Sequence, residues 1–439
     1  MVDITYLSGY TKRKSITIDY TKVSTTLSNF PVLVKITDDA NIGASSLPTG
    51  YDIRFTTSDG TTLLNYERES FSIVDNVCNA IIWVNVPSVS NTENTVLYIY
   101  YGKSDATDGE NKNAVWDSNY KGVWHLNAIS PNVLDSTINA NHGTVSGDVA
   151  PVAGSIGNGL TFDGTGDYIN VGMMPEASSD LSYVTVSACI QSSNSAKQAL
   201  MGTLNISDSE AYFKIMLNSN YNGSNLLGYI QFYLRSNSGD NFTGSVNSNT
   251  GITDGNKHHF VITLDKTTAS VSILIDGVPK TVSNLATSTG TDWCTWTRPL
   301  VIGGNNKSSV TEPYSGILDE IRFSTGILRS VEWSQTEYAN QFYPSTFYLL
   351  SQEQTNGQPP SNDLNPTLIY FDEDNEMKQF VGTTRKHPVA AYSDSTGAPV
   401  NLLISPTFYV SVNGENRQQL ELTISEFDAH HQWFWLTIP

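Results

Sequence analysis

Residues 123–172 constrain the fold more than any other stretch of this sequence. The two ends, VWHLN and LTFDGTGDYINVG, carry the apolar patterns typical of short strands. Between them, LDSTINANHGTV concentrates Asp, Asn, Ser and Gly, which favour tight turns. Because such turns bring backbone and side-chain oxygens together, the stretch predicts strands joined by loops that suit a hard cation or a polar ligand.

Three motifs in this stretch resemble the opening of a laminin-G-like, concanavalin A-type jelly roll. They are a W-H-(L/F) strand, a D-x-(S/T)-x-N-x-x-x-G loop and an F-D-G-x-x-D-(Y/F)-(I/V) strand. The matching residues are Trp124, His125, Leu126, Asp135, Thr137, Asn139, Gly143, Phe162, Asp163, Gly164, Asp167, Tyr168 and Ile169. Residues 258–280 and 314–342 fit the same family in the same order. The resemblance implies a jelly roll across roughly half the chain.

Length and composition favour several β-domains. The 439 residues are too many for one sandwich and suit two or three domains. Hydrophobic residues make up 39% and charged residues only 15%, with 22 Tyr and 16 Phe, which favours β-structure over helical bundles. The formal charge of −19 would repel a polyanion, so we expect no nucleic-acid partner.

The domain organisation follows from turn signals and one polar segment. We predict an all-β chain with an N-terminal β-sandwich over residues 1–104 and a jelly roll over residues 105–351. A linker follows over residues 352–365, and then a small C-terminal β-domain over residues 366–439. The last unit is small enough that docking on a neighbour or on a second copy of the chain would help it fold, so a homo-oligomer is one expectation.

The first unit also resembles a known domain. Its D-I-R-F strand, I-W-V-N-V-P strand and closing Y-I-Y-Y-G are similar to an uncharacterised β-domain that occurs just ahead of concanavalin-like modules in bacterial surface and phage proteins. That family has no agreed activity. The resemblance therefore implies architecture alone.

Local signals predict three hairpins and one helix. Asp59-Gly60, Asp276-Gly277 and Asn413-Gly414 stand between apolar arms, as in tight β-turns. Residues 330–341 predict a helix capped by Ser330. Its apolar face is predicted to carry Val331, Tyr338 and Phe342.

The resemblance also implies a structural Ca²⁺ ion. In the family, the Asp of the first loop and the Asp of the D-E-(V/I)-R strand can contribute to one cation site. Asp135, with Asn139, and Asp319 hold the matching positions. The alternative is that Asp135 caps a turn through its own backbone and that Asp319 pairs with Arg322.

Exposed aromatic residues are the candidates for glycan contact, since rings stack on sugar faces. Trp293 and Trp296 lie in a Thr- and Ser-rich loop and are the first candidates. Tyr212, Tyr221 and Tyr233 are the second. The alternative for each is burial in the core of a sandwich.

Catalysis is not expected. The chain lacks the E-x-D-x-x-E strand of concanavalin-type glycosidases, and Asp319 and Glu320, as neighbours on a strand, are expected to face opposite sides. The pairs His258-His259 and His430-His431 are assigned to packing or surface roles. Three widely spaced cysteines, at positions 78, 189 and 294, predict free thiols.

The functional hypothesis depends on two features that the sequence does not show, a membrane span and an export signal. No apolar run reaches the roughly 20 residues of a membrane span, and the N-terminus lacks a Sec signal. A surface-type module without an export signal has lost it to a start methionine, uses a dedicated export machine, or is built into a virus particle. We expect a virion surface protein, such as a phage head decoration, fibre or tail component, which contacts other virion proteins and a cell-surface glycan. The alternative is an extracellular or cell-surface bacterial adhesin.

Overall fold

The structure is a computed structural model of the chain. It describes residues 6–130, 132–174, 182–203, 212–219, 225–235, 241–247, 252–287, 298–306, 310–356, 387–389, 408–410, 418–420, 423–428 and 433–437. The chain divides into two compact units. The first comprises Met1–Tyr10 and Ile16–Leu349, and the second comprises Thr11–Ser15 and Leu350–Pro439.

The first unit begins with seven strands in two antiparallel sheets. They are β1 (Lys12–Ile18, of which residues 16–18 belong to this unit), β2 (Leu27–Asp39), β3 (Arg54–Thr57), β4 (Leu63–Leu64), β5 (Tyr66–Val74), β6 (Val77–Val89) and β7 (Thr95–Tyr101). One sheet has the order β1-β7-β3-β4, and the other, here called the small N-terminal sheet, has the order β2-β6-β5. A short helix, α1 (Ala40–Ser45), follows β2, and 3₁₀ turns occupy Tyr20–Lys22 and Lys112–Ala114.

The jelly roll follows in the same unit. Its strands are β8 (Tyr120–Trp124), β9 (Thr144–Ser146), β10 (Ala150–Ala153), β11 (Asn158–Asp163), β12 (Tyr168–Gly172), β13 (Tyr183–Gln191), β14 (Gln198–Thr203), β15 (Tyr212–Ser219), β16 (Asn225–Arg235), β17 (Asn241–Asn247), β18 (Lys257–Asp265), β19 (Ser270–Ile275), β20 (Val278–Lys280), β21 (Val282–Thr287), β22 (Leu300–Ile302), β23 (Asn305–Asn306), β24 (Val310–Thr311) and β25 (Ser315–Thr325). The back sheet has the order β10-β11-β25-β13-β18-β19-β20, with β8 beside β25. The front sheet has the order β21-β17-β16-β15-β14-β22-β12-β9.

The two jelly-roll sheets enclose one apolar core. Strand residues that alternate toward the interior supply it, because successive side chains of a strand point to opposite faces. Trp124, Phe162, Phe213, Phe232 and Phe323 are among its largest side chains, and each is at most 2% exposed. The mostly β, multi-sheet architecture confirms the predicted fold class.

Two of the predicted hairpins are described. Around Asp276-Gly277, Ile275 pairs with Val278, and both turn residues have positive φ angles of 52° and 70°. This is the backbone that Asp-Gly favours in two-residue hairpins. Around Asp59-Gly60, β3 pairs with β4.

The helix predicted over residues 330–341 is observed as α2 (Val331–Phe342), and a single turn, α3 (Pro344–Phe347), follows it. The Ser330 hydroxyl accepts the Trp333 backbone N–H at 3.1 Å, as the predicted cap requires. Tyr338 and Phe342 lie on one face, as predicted, since their ring centroids are 5.1 Å apart. Both are only partly buried, whereas the buried side chains of α2 include Glu337, Asn340 and Gln341, because α2 lies on a polar surface of the jelly roll.

The outer face of the back sheet is covered by two layers. Helix α2 packs against β18 and β19. The small N-terminal sheet lies beside it and contributes Leu33, Ile81 and Trp83 to a cluster with Val123 and other residues of the jelly roll. The side-chain amide of Asn340 links the two coverings, because it accepts from the Leu33 backbone N–H at 2.7 Å and donates to the Leu33 carbonyl at 3.1 Å.

The second unit combines a short segment near the N-terminus, Thr11–Ser15, with the C-terminal part of the chain. Strands β26 (Tyr348–Leu350) and β27 (Gln354–Thr355) lead into it, and β27 pairs with Lys12 and Arg13 of β1. Five further strands are described: β28 (His387–Val389), β29 (Phe408–Val410), β30 (Gln418–Leu420), β31 (Thr423–Asp428) and β32 (Trp433–Thr437). Strands β29 and β30 pair across Asn413-Gly414, although the turn itself, like His430 and His431, lies outside the described residues. Residues 354–355 of the predicted linker are thus strand, and the predicted domain boundaries stay a prediction.

The cysteines follow the expectation as far as they are described. Cys78 and Cys189 are buried thiols. Cys294 lies outside the described residues.

Candidate functional site

A bulge in strand β25 turns two neighbouring acids to the same side. Leu318 and Ile321 both lie in the jelly-roll core although they are three positions apart, and Glu320 has a φ angle of +52°. The pairing with β13 shifts register between Ser187 and Cys189. Asp319 and Glu320 therefore both lie on the outer face of the back sheet. The expectation that they face opposite sides is wrong, because the bulge breaks the alternation.

His125 meets Glu320 on this outer face. It follows Trp124, whose ring fills the core, so the W-H-L motif places one aromatic ring on each side of the sheet. The Nδ1 atom of His125 lies 2.7 Å from Oε1 of Glu320. From the small N-terminal sheet, Oε2 of Glu69 lies 3.5 Å from Nδ1, and Oε2 of Glu67 lies 3.4 Å from Nε2.

Each of the three carboxylates is held by a second partner. The indole N–H of Trp116 donates to Glu67 at 2.8 Å, and the indole N–H of Trp83 donates to Glu69 at 2.9 Å. The hydroxyl of Ser136 also donates to Glu67. Arg322 donates to Oε2 of Glu320 at 2.8 Å.

Two tryptophans enclose the Arg322 guanidinium, whose central carbon lies 4.4 Å from the ring centroid of Trp83 and 5.0 Å from that of Trp116. The face of an aromatic ring attracts a cation, so this stacking stabilises the buried guanidinium. We call Glu67, Glu69, His125, Glu320 and Arg322 the charged layer. Their side chains are at most 6% exposed.

Burial and neighbouring charges shift the pKa values of the ionisable groups in this region in both directions. Burial alone would lower the pKa of His125, but Glu320, Glu67 and Glu69 raise it well above its usual value. Burial raises the pKa of Glu69 and of Asp319 well above the usual range. Burial would also raise the pKa of Glu320, but His125 and Arg322 hold it below its usual value.

The charged layer is buried, which limits the ligands that it can bind. Because its carboxyl groups are covered by the small N-terminal sheet, a polysaccharide has no access to them in this arrangement. Among the described residues, Glu69, His125 and Glu320 each place one potential metal-ligand atom within 4.8 Å of the others. The sequence gives no pattern for this set, because Glu69 lies on β5 of the small N-terminal sheet, far along the chain from Glu320 on β25. The signal that could have identified the set is His125 next to Trp124, because neighbouring side chains of a strand point to opposite faces of the sheet.

The predicted calcium residues lie nearby with different partners. The carboxylate of Asp135 accepts the backbone N–H groups of Val123, Thr137 and Asn141 and the Thr137 hydroxyl, at 2.8–2.9 Å. Asn139 donates its amide to the Tyr120 carbonyl at 3.0 Å. Each carboxylate oxygen of Asp135 thus already accepts two hydrogen bonds, and a cation at Asp135 would have to compete with these donors.

Asp319, the third predicted calcium ligand, is engaged on one side. Its Oδ2 atom accepts the backbone N–H groups of Ser155 and Ile156 at 2.7 and 2.8 Å, whereas its Oδ1 atom is buried without a hydrogen-bond partner. The pairing with Arg322 that was the alternative is not observed, since Arg322 pairs with Glu320. The calcium site stays a prediction.

Of the predicted sugar-contact residues, only the Tyr233 side chain is described. It lies half-buried on β16 of the front sheet, and Nζ of Lys214 lies 5.7 Å from its ring centroid. Its neighbours Phe232 and Leu234 point into the core, so Tyr233 lies on the outer face of that sheet. Tyr212 begins β15, but its side chain lies outside the described part of the chain, as do Tyr221, Trp293 and Trp296.

A surface cleft of about 400 Å³ opens beside the start of β2. Polar and apolar residues both line it, namely Ser28, Asn29, Asp117, Asn119, Ile327, Leu328, Arg329, Ser330 and Trp333. Arg329 bridges it, because its Nη2 atom lies 2.6 Å from Oδ2 of Asp117 and its guanidinium carbon lies 4.3 Å from the Trp333 ring centroid. Amide, hydroxyl and indole groups are the kinds of group that bind sugars in protein sites. Of these residues, only Ser330 was predicted to have a role, as a helix cap.

Two family models match the chain in the predicted order. Residues 49–135 match a domain of unknown function, DUF2341, and residues 163–332 match the concanavalin A-like lectin/glucanases superfamily. The chain therefore carries a laminin-G-like, concanavalin A-type jelly roll preceded by an uncharacterised β-domain, which confirms both resemblances. No curated protein matches the chain.

Solved structures resemble parts of the chain at low identity. Domain 4 of AbnA, a GH43 extracellular arabinanase from Geobacillus stearothermophilus in complex with arabinotriose, is 17% identical, with 50% of this chain and 98% of that chain covered and a TM-score of 0.38. The CBM40 of Ruminococcus gnavus IT-sialidase bound to α2,6-sialyllactose is 14% identical, with coverages of 40% and 95% and a TM-score of 0.30. The binding domain of botulinum neurotoxin serotype D is 12% identical, with coverages of 73% and 78% and a TM-score of 0.39. At these TM-scores the similarities carry no argument about what this chain binds.

Within the described residues, none of the helices is both long enough and apolar enough to span a membrane.

Proposed function

We propose that this protein is a non-enzymatic surface component that binds a glycan through its jelly roll. The observation that carries the proposal is the match of residues 163–332 to a superfamily of lectins and glucanases. Our preferred setting is the surface of a virion, as a head decoration, fibre or tail component. The order of the two domains and the net charge of −19 support that setting.

The covered outer face of the back sheet is excluded as the glycan-binding surface. Helix α2 and the small N-terminal sheet bury its outer face. The proposed glycan surface is therefore the outer face of the front sheet around Lys214 and Tyr233. Trp293 and Trp296, which lie outside the described residues, stay candidates from the sequence. An aromatic ring beside an amine offers a stacking face and a hydrogen-bond donor to a sugar.

The absence of catalysis in the proposal rests on accessibility. Asp319 and Glu320 are close on one face, as a glycosidase would need, but each residue is 1% exposed. A general acid and base must reach the glycosidic bond directly or through one water. Incubating the protein with each bound glycan should therefore return the glycan at its original mass, whereas shortened products would contradict this part of the proposal.

A glycan array with the full-length chain tests the binding. We expect a defined set of glycans to bind, and Trp293→Ala, Trp296→Ala or Tyr233→Ala to weaken that binding by tenfold or more, about 1.4 kcal/mol or more. Tyr20→Ala, which truncates a 41% exposed tyrosine of the N-terminal sandwich, is the matched control and should bind normally. Asn119→Ala probes the surface cleft. If only that variant loses binding, the site is the cleft and the front sheet is excluded.

The setting is tested separately by copy number. Quantitative mass spectrometry of purified virions from the source should find the chain at a fixed ratio to the major capsid protein. Recovery from the bacterial cell surface or culture medium, with none in virions, would favour the adhesin alternative. Cross-linking within intact virions would then identify the neighbouring virion proteins and show whether the chain contacts a second copy of itself.

A further inference from the structure

The charged layer holds more acid than base. Glu67, Glu69 and Glu320 surround one His and one Arg, and all five side chains are buried between the small N-terminal sheet and the back sheet. Buried carboxylates are costly unless a cation compensates them. Protons or a bound cation must therefore supply additional positive charge.

Three atoms of this layer have no hydrogen-bond partner. They are Nε of Arg322, Oε1 of Glu69, whose side chain is 1% exposed, and Nε2 of His125, whose side chain is 5% exposed. Buried polar atoms normally find a partner, and each exception needs an explanation. The Glu69 and His125 atoms belong to residues of the set whose ligand atoms lie within 4.8 Å of one another.

We propose that Glu69, His125 and Glu320 bind one divalent first-row transition metal ion, such as Zn²⁺ or Mn²⁺. One imidazole nitrogen and two carboxylate oxygens suit these ions, whereas Ca²⁺ prefers oxygen ligands alone. The site differs from the predicted calcium site, because it uses none of Asp135, Asn139 and Asp319.

The surroundings provide outer partners for every ligand. Glu67 lies 3.4 Å from His125 Nε2 and can accept its proton when Nδ1 faces the ion, in the carboxylate–histidine–metal arrangement. Trp83 donates to Glu69 and Arg322 donates to Glu320, which fixes both carboxylates. Since Glu69 lies on β5 and Glu320 on β25, the ion would cross-link the N-terminal sandwich to the jelly roll.

The first experiment measures metal uptake by the full-length protein. Protein purified, stripped with EDTA and dialysed is titrated with Co²⁺ and Zn²⁺, and bound metal is counted by plasma mass spectrometry. We expect one ion per chain and a visible Co²⁺ absorption band. If stripped protein that is folded by circular dichroism takes up no metal, the proposal is overturned.

Variants locate the ion. Glu69→Gln and Glu320→Gln keep the side-chain shape and should weaken binding by about 100-fold or more, and Glu67→Gln should weaken it by about tenfold as an outer partner. Glu337→Gln removes a neighbouring buried acid that is outside the proposed set and should bind normally. Equal metal binding by the Glu69 and Glu320 variants would place the ion elsewhere and overturn the assignment.

A stability readout covers variants that fold poorly. Zn²⁺ should raise the melting temperature of stripped wild-type protein and leave that of Glu320→Gln unchanged, because an ion that binds only the folded chain stabilises it. The same rise in both proteins would contradict the site. Asp135→Ala separates this site from the predicted calcium site. The variant should keep the rise in melting temperature with Zn²⁺, and the same measurement with Ca²⁺ in place of Zn²⁺ reports on the predicted calcium site.

Discussion

The back sheet of the jelly roll faces two interiors that are equally buried and chemically opposite. Toward the front sheet it presents Ile262, Ile321, Phe323 and other apolar side chains. Toward the small N-terminal sheet it presents His125, Glu320 and Arg322, each buried. One sheet thus supports both an apolar core and a charged layer.

The difference teaches how each interior is stabilised. Apolar burial is nearly additive and does not depend on which partner is present. A buried charge is tolerated only with its counter-charges and hydrogen bonds in place, and removal of one partner leaves the others uncompensated. The charged layer is therefore selective for one docking arrangement of the two domains, whereas the core tolerates changes of similar size.

The largest expected effect is in the charged layer. Arg322→Ala removes the cation that pairs with Glu320 at 2.8 Å and lies between Trp83 and Trp116. We expect a loss of about 5 kcal/mol in the free energy of unfolding, measured by urea titration with tryptophan fluorescence. Adding Glu320→Gln should return part of the loss, because it removes the stranded acid. Strictly additive losses would show that the two residues are not coupled.

The matched change in the core is Phe232→Ala. This ring is fully buried among apolar neighbours. We expect a loss of about 4 kcal/mol in the same titration, from lost burial and the cavity left behind. The loss should not change between low and high salt, because no charged group is removed. A strong salt dependence would weaken the contrast between the two interiors.

The next effect depends on pH. Burial would raise the pKa of Glu337, but Arg322 and His259 lower it from 4.5 to about 2. A lowered acid pKa contributes stability above pH 4.5 that is lost as the pH falls through 2. We expect wild-type protein to lose roughly 3 kcal/mol more than Glu337→Gln between pH 5 and pH 2. Parallel pH curves for the two proteins would contradict the assignment.

The smallest effect concerns Asp135. Asp135→Ala leaves four hydrogen-bond donors without their acceptor, and we expect it to cost about 2 kcal/mol. The hydrogen bonds predict the same cost in Ca²⁺ and in EGTA. A cost seen only with Ca²⁺ would confirm the predicted calcium site.

Much of the fold could be predicted from sequence. Alternation identified the strands, and Asp276-Gly277 fixed one hairpin, because these signals are local. Ser330 likewise marked the start of α2. Tyr338 and Phe342 share one face of that helix, as predicted, but the burial of Glu337 and Asn340 could not be predicted, because their partners are distant in sequence.

The candidate site was harder for the same reason. The bulge at Glu320 requires a backbone conformation that alternation does not reveal, and it reverses the side on which one acid lies. His125 was recognised as part of a strand motif, but its partners Glu67 and Glu69 come from another domain. A buried charged set assembled across domains leaves no spacing pattern in a single sequence.

The pairing of β27 with β1 decides where the chain can be shortened. The Asn356 N–H donates to the Thr11 carbonyl, and the Ser351 N–H donates to the Ser15 carbonyl. A chain that ends at residue 350 lacks both bonds, so the Thr11–Ser15 segment loses these backbone partners and offers an unpaired strand edge. Recombinant versions that end there should therefore aggregate, whereas those that end at residue 356 or later should remain monodisperse.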